Sequence, residues 1–172
     1  MAREVIQHWR TLKGTADGLP AALRKRFGQA KPPFDPYAIA AGMGVELRHI
    51  KDRKWSGAVR FSGDRAVIWL NDTEARRRKR FTLAHELGHL MLHGADGEGL
   101  YRDASFSGTA EERAANEFAA ELIMPAAMLR RGAALVGFDM NRLARLFDVS
   151  EEALQVRLAI LAERQARKLR GA

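Results

Sequence analysis

Residues 76–93, RRRKRFTLAHELGHLMLH, decide how this chain is read. Between Glu74 and His93 the only glycine or proline is Gly88, so one long helix is expected there, with Asn71, Asp72 and Thr73 offering N-cap chemistry before it. Within it His85, Glu86, Leu87, Gly88 and His89 form an HExxH pattern. Four residues make just over one turn, so both imidazoles leave the same face, about 6 Å apart along the axis, and can converge on one ion. Glu86 points about 100° away from His85, where it flanks that ion without ligating it, the position of a general base. The neighbours Phe81, Leu83, Leu90, Met91 and Leu92 are apolar, and polar groups buried among them without partners would be costly. Metal binding explains the pattern better than two incidental histidines do.

A third ligand is expected on the next helix, read over Thr109–Met124 and stopped by Pro125. In EERAANEFAAEL, residues 111–122, the apolar stripe through Ala115, Phe118, Ala119 and Leu122 leaves Glu111 and Glu112 on its two borders, while Glu117 and Glu121 point elsewhere. Periodicity does not separate Glu111 from Glu112, and Glu111 lies slightly nearer the stripe. His93 would sit about 12 Å beyond His85 on an unbroken helix, out of ligating reach. It is read as lining the cleft or ending the helix before Gly94.

Working outward, Val45, Leu47 and His49 alternate with polar positions, and Ala58–Phe61 and Ala66–Leu70 are short extended runs. Three strands are expected, at least two forming a hairpin. Residues 3–30 read as a helical arm, with Val5, Ile6, Trp9 and Leu12 at helical spacing, a break at Gly14–Pro20, and a second turn of helix over Ala21–Phe27. Pro36–Ala41 is a short helix ended by Gly42 and Gly44, and two or three helices fill the C-terminal third. The Gly-rich segment 94–109 is long enough to act as a lid, and its Tyr101 and Arg102 are candidate oxyanion stabilisers, although a plain loop is the simpler reading.

The chain has 172 residues, 47% hydrophobic and 29% charged, which suits one folded domain over residues 1–172. It contains no cysteine, so disulfides, thiolate zinc sites and a cysteine nucleophile are excluded, and any metal must sit on His, Asp or Glu. No apolar run approaches the ~20 residues of a membrane-spanning helix, and the N-terminus lacks a signal-peptide core, so a cytoplasmic protein without a membrane partner is expected. The formal charge of +8 favours acidic partners in general. The run Arg76-Arg77-Arg78-Lys79-Arg80 circles the helix and is read as a solvated face, not a phosphate-binding stripe. LARLFDVSEEALQVRL, residues 143–158, has a helix-turn-helix look, but Glu151 and Glu152 would face phosphates, so direct nucleic-acid binding there is disfavoured. The basic tail ERQARKLR reads as a solvated helix end.

The pair RFTLAHELGHLMLH and EERAANEFAAELIMP resembles the ImmA/IrrE-type metallopeptidases, zincins associated with prophage, mobile-element and stress-response repressors. PYAIAAGMGVELRHI and the SGAV and VIWLN strands extend the likeness over Pro36–Leu161, leaving the arm at residues 1–30 outside it. The family's Glu-x-x-Ala-Asn pattern falls on Glu112, Ala115 and Asn116, so the resemblance implies His85, His89 and Glu112 as ligands and Glu86 as base. It also implies a zincin-like sheet edge at Ala66–Leu70 for an extended peptide, and a helix-turn-helix repressor, encoded nearby, as substrate. The expectation is an α+β domain: a small three-stranded sheet, antiparallel or mixed, packed against a helical bundle. The expected activity is an endopeptidase using metal-activated water, with zinc as cofactor and manganese as the alternative because no soft ligand selects between them. The rival readings are a non-catalytic metal-containing module that regulates a repressor or antitoxin-like partner by binding, and a DNA-binding protein.

Overall fold

The alternation of residues 45–71 becomes a mixed sheet. In a computed structural model, residues 18–51, 54–62, 65–92, 100–102 and 108–171 are described, with the backbone alone at 61, 62 and 100–102. Strands β1 (Glu46–Ile50), β2 (Gly57–Ser62) and β3 (Arg65–Asn71) are joined by a short fourth, β4 (Leu100–Arg102), from within the Gly-rich segment read as a lid. The order is β1-β3-β2-β4. The hairpin is β2–β3, antiparallel with Ala58 opposite Trp69, whereas β1 runs parallel to β3 with Arg48 opposite Trp69. This corrects one expectation. Both sides of β3 are occupied by ladder bonds, so Ala66–Leu70 offers no free edge; the edges are β1 and β4.

Seven helices among the described residues complete the α+β architecture: α1 (Gly18–Arg26), α2 (Pro36–Gly42), α3 (Arg76–Leu92), α4 (Ala110–Ile123), α5 (Ala126–Val136), α6 (Met140–Phe147) and α7 (Glu151–Arg170). Helix α1 starts earlier than the break at Gly14–Pro20 suggested, because Pro20 falls in the first turn, where no backbone N–H is needed. The rest of the arm, residues 1–17, lies outside the described residues. Helix α3 starts later than Glu74, because Asn71 Oδ1 accepts from Thr73 N at 3.0 Å and spends the cap candidates on a preceding turn.

Helix α3 is buried on every side from Thr82 to Met91, as the central element of a fold must be. One side meets the sheet through Ile68, Leu70 and Val59, and the other meets α4 through Phe118 and Leu122, all essentially solvent-free. The basic run at its N-terminus opposes the helix dipole, and tertiary contacts offset this. Asp148, the left-handed residue ending α6, accepts from both terminal nitrogens of Arg76 at 2.5 Å and lies 3.2 Å from Arg77 Nε and 3.3 Å from Arg80 Nε. Lys79 reaches Asp72 at 3.0 Å. These partners tie the run to Asp148 at the end of α6 and to Asp72 ahead of α3.

Candidate metal centre

Three elements of local chemistry build the site. The helical spacing of α3 stacks His85 and His89 on one face, with ring centroids 4.7 Å apart and Nε2 atoms at 3.0 Å. Thr109 caps α4 by accepting from Glu112 N at 3.2 Å, which seats Glu112 in the first turn. The absence of a side chain at Gly88 then lets α4 approach: a Cβ there would lie 3.1 Å from both the Cα and the carbonyl oxygen of Ala115. The result is that Glu112 Oε2 lies 3.2 Å from His85 Nε2, and Glu112 Oε1 lies 3.2 Å from His89 Nε2. One ligand atom from each of the three residues falls within 4.8 Å of the others.

The donor set suits a divalent cation. Two imidazole nitrogens and one carboxylate oxygen form the three-ligand pattern of catalytic zinc sites, which leave a coordination position for water or substrate. His85 Nδ1 lies 3.0 Å from Asn116 Oδ1; since an amide oxygen only accepts, this nitrogen carries the proton, and Nε2 presents its lone pair to the site. Both histidines are about 95% buried or more, which ties their rings to this arrangement.

Glu86, fully buried, sits one residue beyond His85 and packs against β2. A Cβ at Gly57 would come within 2.9 Å of Glu86 Oε1 and 2.5 Å of Thr82 Cγ2, so the bare backbone of Gly57 makes room for this carboxylate. Of the two border residues, Glu112 meets the imidazoles while Glu111 is exposed. Glu117 and Glu121 point away, as read. His93 lies outside the described residues, and Tyr101 and Arg102 contribute backbone to β4. Bottom-up reasoning missed Asn116, Gly88 and Gly57 as site-builders. Asn116 appeared only as part of the resemblance, and the two glycines carry no local signal, since neither has a positive φ.

Comparison with known proteins identifies the family. Residues 40–159 match the model of the IrrE N-terminal-like domain, a peptidase family. The radiation response metalloprotease IrrE of Deinococcus deserti is 31% identical over 154 residues, covering 84% of this chain and 52% of that protein. The radiation response metalloprotease IrrE of Deinococcus radiodurans is 40% identical over 68 residues, covering 39% of this chain and 20% of that protein. The chain thus spans about half the length of the first relative and matches a fifth of the second. With the family model covering most of the chain, and a His-His-Glu cluster inside the matched region, the protein belongs to the IrrE N-terminal-like metallopeptidase family.

Proposed function

We propose that this chain is a metal-dependent endopeptidase whose substrate is a helix-turn-helix transcriptional repressor, acting within the cell in a stress response. The observation that carries the reading is the meeting of His85, His89 and Glu112 beside a buried Glu86. His85, His89 and Glu112 would hold the metal, zinc for preference and manganese as the alternative, and residues 36–161 would form the working core of a single domain. When bound, such an ion acidifies a water molecule and polarises the scissile carbonyl. Glu86 accepts the proton released as the peptide carbonyl is attacked and then delivers it to the departing amine nitrogen. Its burial against Gly57 restrains the carboxylate and keeps its proton from bulk water. Asn116 holds the His85 ring in one orientation throughout. At the sheet, an extended substrate would pair with an edge strand, β1 or β4, because β3 is enclosed.

Glu86→Gln separates catalysis from binding. Incubated with repressors encoded beside its gene, the metal-loaded chain is expected to release defined fragments by mass spectrometry, and the variant to bind metal equally but cleave at least about 100-fold more slowly. Undiminished cleavage by the variant would remove Glu86 from the mechanism. Regulation of the repressor by both proteins without fragments would favour the binding module.

A further inference from the structure

We propose that the turn joining α5 to α6 is a peripheral membrane-contact tip, with Leu135 and Phe138 entering the apolar margin of an anionic bilayer and Arg130, Arg131, Arg142 and Arg145 meeting its phosphates. The proposal depends neither on the metal centre nor on peptidase activity. The end of α5 shapes the turn. Gly137 N and Phe138 N both donate to the Ala133 carbonyl, at 2.9 and 3.2 Å, and the two residues are left-handed in succession, at φ 71° and 59°. Asp139 then caps α6 by accepting from Arg142 N at 3.0 Å. At such a helix end the residue after the left-handed glycine commonly folds its side chain back onto the last turn. Here that turn offers Gly132 and Ala133, both small and buried, and the Phe138 ring stays outside, 79% exposed. Leu135 is 83% exposed, and a Cβ added at Gly137 between the two would meet nothing within 4 Å, so the tip stands clear of the described residues.

Local folding does not account for Phe138, because glycine or asparagine adopts a positive φ at lower cost than an aromatic residue. Its surroundings are cationic. Arg131 precedes Leu135 by one turn on the same face of α5, with Arg130 beside it, while Arg142 lies in the first turn of α6 and Arg145 one turn further on; all four are exposed. Asp139 pairs with Arg142 at 3.6 Å, and among the described residues Arg130, Arg131 and Arg145 have no carboxylate partner. The 76–80 run differs, since Arg76, Arg77, Lys79 and Arg80 have their carboxylates within the fold. A phosphate-rich surface with an apolar interior beneath it satisfies both features of the tip at once: the two apolar side chains leave water, and the long arginine stems keep their guanidiniums at the level of the phosphates. A second copy of this chain, docked about a two-fold axis through the tip, would set these arginines against their own copies, so charge opposes that occupant. An acidic protein would need an apolar pocket ringed by carboxylates to receive a free-standing tip. No described helix is long and apolar enough to cross a membrane, and the contact is a surface one.

Co-sedimentation of the full chain with vesicles of phosphatidylcholine alone, or of phosphatidylcholine with about 30% phosphatidylglycerol, at about 50 and about 200 mM salt, tests this. Binding to the anionic vesicles that weakens with salt is expected, with binding to the neutral ones at least about tenfold weaker. Leu135→Ser with Phe138→Asn should weaken it at least about tenfold and keep the salt dependence; asparagine suits the left-handed backbone, so the fold is retained. Arg131→Glu with Arg145→Glu should weaken it as much and flatten the salt dependence, while the charge-matched pair Lys25→Glu and Arg26→Glu on α1 should change it less than about threefold. With brominated lipid in the anionic vesicles, Phe138→Trp should show tryptophan quenching beyond that of the unsubstituted chain. Absence of binding to anionic vesicles, or undiminished binding by the Leu135 and Phe138 variant, would overturn the proposal. Equal losses from both charge-reversed pairs would reduce the interaction to diffuse net charge and overturn it too. So would a soluble glutamate-rich peptide bound as tightly as the vesicles and with the same need for Leu135 and Phe138, or self-association in solution that the tip variant abolishes, which would assign the turn to an acidic protein or to a second copy.

Discussion

The two faces of helix α4 carry glutamates in opposite circumstances. On one, Glu112 lies 3.2 Å from two imidazole nitrogens, and among the described residues it has no Lys or Arg partner. On the other, Glu117 accepts from Arg157 at 2.9 Å and from Arg164 at 2.7 and 2.5 Å, and Glu121 accepts from Arg157 at 2.5 Å and from the Ala126 amide at 3.3 Å. Arg157 is 2% exposed and also reaches the Met124 carbonyl. A carboxylate taken out of water needs a cation, and the chain supplies its own on one side, whereas on the other the described residues supply none. The same helix thus has a structural face that is electrostatically closed and a chemical face that is electrostatically open.

Substitutions that exchange these roles test the comparison. Glu112→Gln keeps the shape of the open face and removes its charge; metal affinity, measured by chelator competition, is expected to fall by more than the roughly 100-fold upper range of outer-sphere changes. Glu117→Gln should leave it unchanged. If both lower metal content alike, the faces are not distinct. On the closed face, Arg157→Ala leaves Glu121 without its cation while Glu117 keeps Arg164, and is expected to cost about 3 kcal/mol, toward the low end for a broken buried pair. Denaturant unfolding of the metal-free chain reads this directly, and adding Glu117→Gln and Glu121→Gln should recover most of the loss.

A smaller effect sharpens the open face. Asn116→Ala frees the His85 ring and is expected to weaken metal binding about tenfold while changing metal-free stability by less than about 1 kcal/mol, the side chain being exposed. The smallest expected effect concerns pH. Burial pushes the Glu117 carboxyl up, but Arg157 and Arg164 outweigh it and hold this group below the usual carboxylate range; at Glu121 burial prevails over Arg157 and the carboxyl is raised. Glu117 therefore contributes stability that is complete above about pH 4.3, its ordinary value, and is lost as pH falls through its depressed folded pKa. Glu121 acts in the opposite sense, stability rising as pH falls through its raised folded pKa toward that same value. Unfolding curves across this range should show a shallow rise followed by an acid loss, with Glu121→Gln removing the first and Glu117→Gln the second.

Much of the site was legible before any coordinates. The imidazole pair follows from helical pitch alone, and the helix that carries it could be read because a long breaker-free segment follows cap-forming residues. Ser150 before Glu151 and Glu152 likewise marks the start of α7, where the Ser150 hydroxyl accepts from Ala153 N at 3.1 Å. Elements whose partners are distant were less legible. Ala66–Leu70 reads as an extended run, but whether such a run is central or at an edge depends on β1, whose Glu46 pairs with Val67 across about twenty intervening residues. The fourth strand had no pattern of its own to announce it, since three residues in a Gly-rich segment show no periodicity.

What the sequence by itself determined is therefore the pair of imidazoles on one helix face and the chemical class it implies, because both rest on distances set within one or two turns of a helix. Only the tertiary structure decided that Glu112 and not Glu111 completes the cluster. Both residues border the same apolar stripe, and the choice between them is made by how α4 is rotated where it crosses α3. That rotation is set by the close approach of Ala115 to Gly88 and by the arginines of α7 gripping the far side, contacts between segments that no local pattern connects.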